Sequence, residues 1–242
     1  MIPVADGHLH SNPVKGMGAE EIAERFKRSG GWFMALVSLP PSSYDLDFPS
    51  LDAYSKVIEH QASECKRVRG VRAVCLSGFH PADVDRLIDQ HRLDPVSVLQ
   101  LARRVLSLVE EKLKRGELHG IGEAGRQHYK TGAARALLSQ LILERAMEIS
   151  RDLGVPLHMH LEQEGEITVH LVELSAKRVG AREGLLVFHH AEPKVAREAA
   201  ARGYPATLHG VPRLVEYAMK SLEPNFVFES DYVDDLRRPS AI

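Results

Sequence analysis

Cysteine is scarce: the 242-residue chain has two, Cys65 and Cys75. They form no CxxC pair, so no metal-binding or disulfide framework is indicated, and the expectation is two buried thiols in a reducing compartment. No apolar run reaches membrane length, and Met1-Ile2-Pro3-Val4-Ala5-Asp6 lacks the charged and apolar regions of a signal peptide. A cytoplasmic chain without a membrane partner is expected. Charge of one sign is also lacking, with a net −2 when histidines are neutral. That excludes a protein that grips nucleic acid by a positive field alone, although a bound cation would add charge that this count omits. No Pro/Gly/Ser-rich linker and no short repeat divides the sequence, so a single domain over 1–242 is expected. At 44% apolar and 26% charged residues, disorder and coiled coil are excluded as well.

What is present is an alternation of short β-branched runs and longer stretches of helical period. Strands are expected at Pro3–His8, Trp32–Leu39, Ala73–Phe79, Leu118–Glu123, Pro156–His160, Leu185–His189, Pro205–His209 and Phe226–Asp231. Helices are expected at Ala19–Arg28, Leu51–Val68, Pro95–Lys114, Ala133–Leu153, Ile167–Val179, Pro193–Ala201 and Val211–Leu222. Pro95 follows the cap residue Asp94, and Gly154 and Gly180 stand where helices stop. Eight strands alternating with helices predict an α/β fold, a (β/α)8 TIM barrel. A doubly wound open sheet is the alternative, but polar residues end nearly every strand rather than those at one switch point. After Asp231 only a short tail remains, too little for an eighth helix. The C-terminal end is shortened, or another subunit of a homo-oligomer covers the last strand.

There are 13 histidines, and His8, His10, His80, His158, His160, His189, His190 and His209 sit at or just past strand ends. In a parallel barrel those ends share one face. His8 and His10 in i, i+2 register point to one side of an extended segment and can reach one ion. His158 and His160 repeat that register and suggest a metal ligand with a supporting neighbour. His189 and His190 are adjacent on a strand, so only one should face inward. Glu123 lies among Gly120, Gly122 and Gly125, which allow close backbone approach. Asp231 ends an otherwise apolar strand and needs a cationic partner. Together these supply N and O donors for one or two divalent ions, among which Zn²⁺, Mn²⁺, Mg²⁺, Fe²⁺ or Ni²⁺ all remain open.

The order of these motifs resembles the TatD-like branch of the amidohydrolase superfamily, a family of metal-dependent deoxyribonucleases. Asp6-Gly7-His8-Leu9-His10 is similar to its first-strand HxH, and Gly78-Phe79-His80-Pro81 to its glycine-x-His-Pro. Gly120 through Gly125 resembles its Gly-Glu-Ile-Gly run, Pro156–His160 its fifth-strand histidine, Phe188-His189 its sixth-strand histidine, and Glu229-Ser230-Asp231 its last Glu-Thr-Asp. Gln127 stands where the family has aspartate, Arg126 replaces an apolar residue, and His190-Ala191-Glu192 departs from the family's usual run.

The resemblance implies a hydrolase with one or two divalent ions as cofactor. His8, His10, Glu123 and Asp231 would surround one ion, and Glu123, His160 and His189 the other. Glu123 and Asp231 would be catalytic, with Asp231 orienting the attacking water or accepting its proton. His80, Arg126 and His128 would contact the substrate's anionic group. The expected bond is a phosphoester, with DNA or a smaller phosphoester as the substrate. Alternatives are hydrolysis of an amide, lactone or phosphotriester, and a metal-binding barrel without turnover.

Overall fold

The computed structural model describes residues 3–46 and 50–235. Eight strands form one sheet in chain order, every adjacent pair parallel. They are β1 Val4–Leu9, β2 Gly31–Val37, β3 Arg72–Ser77, β4 Gly120–Gly125, β5 Leu157–His160, β6 Leu186–Phe188, β7 Ala206–His209 and β8 Phe226–Glu229. The helices are α1 Ala19–Arg28, α2 Leu51–Arg67, α3 Pro81–Asp89, α4 Pro95–Lys114, α5 Ala133–Leu153, α6 Glu166–Val179, α7 Pro193–Ala201 and α8 Pro212–Ser221. The TIM barrel expected from the sequence is therefore present. No described helix is long and apolar enough to cross a membrane.

Local chemistry sets the element ends. Asp94 accepts from Val96 N at 3.0 Å and Ser97 N at 3.1 Å, capping α4. The apolar stripe of that helix, Val98, Leu101, Ala102, Val105, Leu106, Val109 and Leu113, is buried against the barrel. Gly154 and Gly180 end α5 and α6 in the left-handed conformation.

The seam between the last and first strands has its own construction. Asp231 N donates to His8 O at 3.0 Å, His10 N to Tyr232 O at 2.7 Å, and Asp234 N to His10 O at 3.2 Å. Asp6 braces it from the side: Oδ1 accepts from His8 N and Ser230 N, and Oδ2 from Ser230 Oγ at 2.6 Å. Nearly buried, Asp6 is pushed up by desolvation, an effect these hydrogen bonds only partly offset.

Two expectations are corrected. Cys65 and Cys75 are not separate thiols but a disulfide joining α2 to β3. Helix α3 was absent from the sequence reading, and the β3–β4 crossover holds both α3 and α4. Its N-cap is His80, whose Nδ1 accepts from Ala82 N at 3.0 Å, with Pro81 at the first helical position. Histidine is an uncommon cap, which hid the helix start. No helix follows β8 among the described residues, as the short tail implied.

Candidate metal centre

The strand ends converge on Glu123. Gly78 and Gly125 permit this. A Cβ on Gly78 would stand 2.5 Å from Glu123 O, and one on Gly125 would collide with the His160 carbonyl. Glu123 Oε1 lies 3.5 Å from His8 Nε2 and 3.5 Å from His10 Nε2. Its Oε2 lies 2.6 Å from His160 Nδ1, 3.3 Å from His80 Nε2 and 3.9 Å from His189 Nε2. Asp231 Oδ1 lies 3.3 Å from His10 Nε2 and 3.9 Å from His189 Nε2. The structure thus brings together all six residues that the sequence proposed as ligands, with one oxygen of Glu123 turned to each half of the set.

Outer partners decide which ring nitrogens are free. His10 Nδ1 donates to Val37 O at 2.9 Å, so in the neutral ring the Nε2 lone pair faces Glu123 and Asp231. His8 Nδ1 meets His158 Nδ1 at 3.0 Å. With the shared proton on His8, its Nε2 lone pair faces inward. That Nε2 is buried and has no hydrogen-bond partner. A buried acceptor left unsatisfied beside a carboxylate is costly, and a cation between them removes the cost. His189 Nδ1 lies 2.9 Å from Glu229 Oε2, and an ionised Glu229 accepts from it and frees Nε2. These partners are the kind that orient metal-bound histidines. The donor set, histidine nitrogens with two carboxylates, fits divalent ions of the Zn²⁺ or Mn²⁺ type.

His80 is the exception. Its Nδ1 accepts at the helix cap, so in the neutral ring the proton sits on Nε2, pointing toward Glu123. It is a donor in this site rather than a ligand.

The electrostatics follow. Burial alone would raise Glu123, but the charges of His80 and His160 and the hydrogen bond from His160 hold it well below the usual range. Burial would also raise Asp231, but while no ion is bound a protonated His10 donates to it from Nε2 and keeps the carboxyl low; that proton must leave before Nε2 can hold an ion. Burial pushes Glu229 up to about 8 while no ion is bound, so an ion at His189 Nε2 requires this carboxyl to give up its proton and accept from Nδ1. Burial also pushes His158 down to about 4 and His189 down to about 3, against the opposing charge of Glu123.

The last two values set a pH dependence. A histidine lowered in the folded state is protonated first in the unfolded chain. Between pH 6.5 and about 4 the unfolded state then holds more protons, so stability falls as pH falls. For His158 the drop from 6.5 to about 4 corresponds to about 3 kcal/mol. The melting temperature of the metal-free protein should decline steadily across this window, and His158→Gln should flatten part of the slope. A melting temperature indifferent to pH there would contradict buried neutral rings.

Arg126 and His190 are placed otherwise than the sequence suggested, and Gln127 and His128 have partners of their own. Arg126 does not open onto the ligands. Its Nε and Nη2 form a two-point pair with Glu162 at 2.8 and 2.6 Å, and Nη1 donates to Gln140 at 2.7 Å. Its charge is spent on holding the β5–α6 loop and α5. Gln127 donates to Asp85 at 2.8 Å and to Pro81 O, facing α3. An aspartate there would repel Asp85, which accounts for the departure. His190 was expected to point away from His189, yet the two ring centroids are 4.4 Å apart. The strand ends at Phe188, and His190 has φ 40°, so strand alternation no longer applies. His128, expected at the substrate, stands with Nδ1 2.9 Å from His160 Nε2.

Sequence reasoning missed Glu229 as the partner of His189. Its signals were its place in the Glu229-Ser230-Asp231 motif and a carboxylate in an otherwise apolar strand.

A family model described as TatD related DNase matches residues 5–241. An uncharacterised protein of Methanocaldococcus jannaschii is 31% identical over 243 residues, covering 98% of this chain and 82% of that one. Among solved structures, the TatD-like protein of Archaeoglobus fulgidus has a TM-score of 0.63 at 17% identity, over 94% of this chain and 85% of that one. A variant organophosphorus hydrolase from Deinococcus radiodurans has a TM-score of 0.58 at 13% identity, over 99% of this chain and 78% of that one.

Proposed function

Because the chain belongs to the family of TatD-related DNases, and is thus a metal-dependent hydrolase, we propose that the bond it cleaves is a phosphoester, with DNA among its substrates. The observation that carries the metal-centred part of this reading is the buried, unpartnered His8 Nε2 beside Glu123.

In this reading His8, His10, Glu123 and Asp231 hold one divalent ion, and Glu123, His160 and His189 a second. Bound ions lower the pKa of their water and neutralise charge on the attacked group. The chain's own residues do the rest. Asp231 is 29% exposed at its side chain, while Glu123 is 6% exposed, so Asp231 is the carboxylate that reaches the open side. There it orients the attacking water and accepts its proton. The His80 Nε2–H donates toward an anionic oxygen of the substrate. A phosphoester suits a site with a fixed N–H donor and cations, since the ions supply the positive charge that Arg126, paired with Glu162, does not.

Assays with Mg²⁺, Mn²⁺ or Zn²⁺ against single-stranded DNA, a phosphomonoester, an amide and a lactone test this directly. Metal-dependent turnover of DNA or the phosphomonoester is expected. Hydrolysis of amide or lactone, with no phosphoester cleaved under any of the three ions, would overturn the substrate reading.

A further inference from the structure

His160 has two ring nitrogens, and the six-residue set uses one. Nδ1 faces Glu123, while Nε2 points outward to His128 Nδ1, 2.9 Å away. His190 completes a triangle on this outer side. Its ring centroid is 4.5 Å from that of His160 and 5.5 Å from that of His128. One ring nitrogen of each of the three lies within 4.8 Å of the others.

The backbone is arranged for this grouping. His190 holds φ 40°, in the left-handed region that a residue with a Cβ seldom adopts. Such strain persists where surrounding structure imposes it, and it gathers at functional sites. Here it swings the second ring of a His-His pair into the barrel mouth rather than out among the helices. His128 is exposed and His190 half-buried, so the triangle is open to ions from solvent.

We infer that His128 Nδ1, His160 Nε2 and a ring nitrogen of His190 form an outer metal site at the barrel mouth, distinct from the Glu123-centred site and joined to it through the His160 ring. Three imidazoles without a carboxylate suit a borderline ion such as Zn²⁺ or Ni²⁺ rather than Mg²⁺ or Ca²⁺. Nitrogens bound at about 2.0–2.1 Å around a tetrahedral ion stand about 3.3 Å apart. His128 must therefore move back by a few tenths of an ångström, which an exposed side chain can do.

The link through His160 rests on the reading that its Nδ1 holds an inner ion. With an ion on each nitrogen, His160 is an imidazolate. Its ring proton passes to solvent, so filling the outer site releases one proton and tightens with rising pH. The outer ion also adds positive charge where an anionic substrate enters.

The competing account is that His128 only accepts a hydrogen bond from His160. The full-length chain, stripped by chelator and dialysed against Zn²⁺ alone, distinguishes the two by the number of ions retained. The double variant His128→Gln/His190→Gln keeps an amide able to hydrogen-bond His160 but removes two nitrogen ligands. It is expected to retain one Zn²⁺ fewer per chain than the wild type, with an unchanged metal-free melting temperature. His128→Ala/His190→Ala should lose the same single ion. Equal counts in wild type and both variants would overturn the outer site while leaving the inner one standing. A chain that retains no Zn²⁺ at all would overturn both. A count that falls by one in the variants supports the outer site whether one or two ions occupy the inner one.

Discussion

Replacing Asp231 by asparagine is expected to lower kcat about 10²–10⁴-fold, the usual cost of losing a general base, with KM and melting temperature little changed. The substitution is close to a pure removal of proton affinity. Asparagine keeps the shape and one oxygen for an ion, but it cannot accept a proton near neutral pH. It also tolerates the left-handed backbone that Asp231 adopts, with φ 49°. What Asp231 gives the fold is its main-chain N–H, donated to His8 O, and the substitution leaves that in place. kcat, metal content and melting temperature measured together decide the matter. Near-normal kcat per folded molecule with a depressed melting temperature would make Asp231 a structural residue and move the proton acceptor elsewhere.

The second large effect is expected at Glu123. One carboxylate faces both halves of the ligand set, with Oε1 toward His8 and His10 and Oε2 toward His160 and His189. Exhaustive chelation should abolish hydrolysis and lower the melting temperature. An ion present at about a hundred times its Kd stabilises the folded state by about 2.7 kcal/mol, which for a chain of this size is roughly 5–10 °C. Glu123→Gln should remove the response itself, so that adding back Mg²⁺, an ion three imidazoles without a carboxylate do not favour, neither restores turnover nor raises the melting temperature. Full activity of the wild type after verified metal loss would count against the whole reading of the site.

Much of this was legible before the structure. Strand number, order and polar ends announced the barrel, because parallel strands covered on both faces read as continuous apolar runs such as Phe33-Met34-Ala35-Leu36-Val37. The convergence of His8, His10, Glu123, His160, His189 and Asp231 was legible because strand ends share a face, i, i+2 spacing fixes the side of a strand, and the family resemblance singled these residues out. Legibility failed where a rule of local geometry stopped short of the residue. His190 lies two residues past β6, where a left-handed residue cancels alternation. Helix α3 begins at a histidine cap that no ordinary cap signal marks. Arg126 looked available to a substrate because its neutraliser, Glu162, comes from another loop 36 residues along, and a single sequence does not show which charges meet in space. The Cys65–Cys75 bond was hidden for the same reason, since helix and strand had first to be laid side by side.

The seam between β8 and β1 also bears on how the protein is made. A ribosome releases His8 and His10 more than two hundred residues before Asp231. The hydrogen bonds that shut the barrel, His8 O with Asp231 N and His10 N with Tyr232 O, are made by the metal-site residues themselves or their immediate neighbours. Joining points this far apart in the chain carries a loop-closure cost that must be met before the contacts reward it. Closure and assembly of the site are therefore one event, late in folding. A nascent or truncated chain that stops at 230 lacks the Asp231 carboxylate beside His10 and the main-chain groups that shut the seam, so the hydrolytic centre comes into being only once Asp231 and Tyr232 are in place.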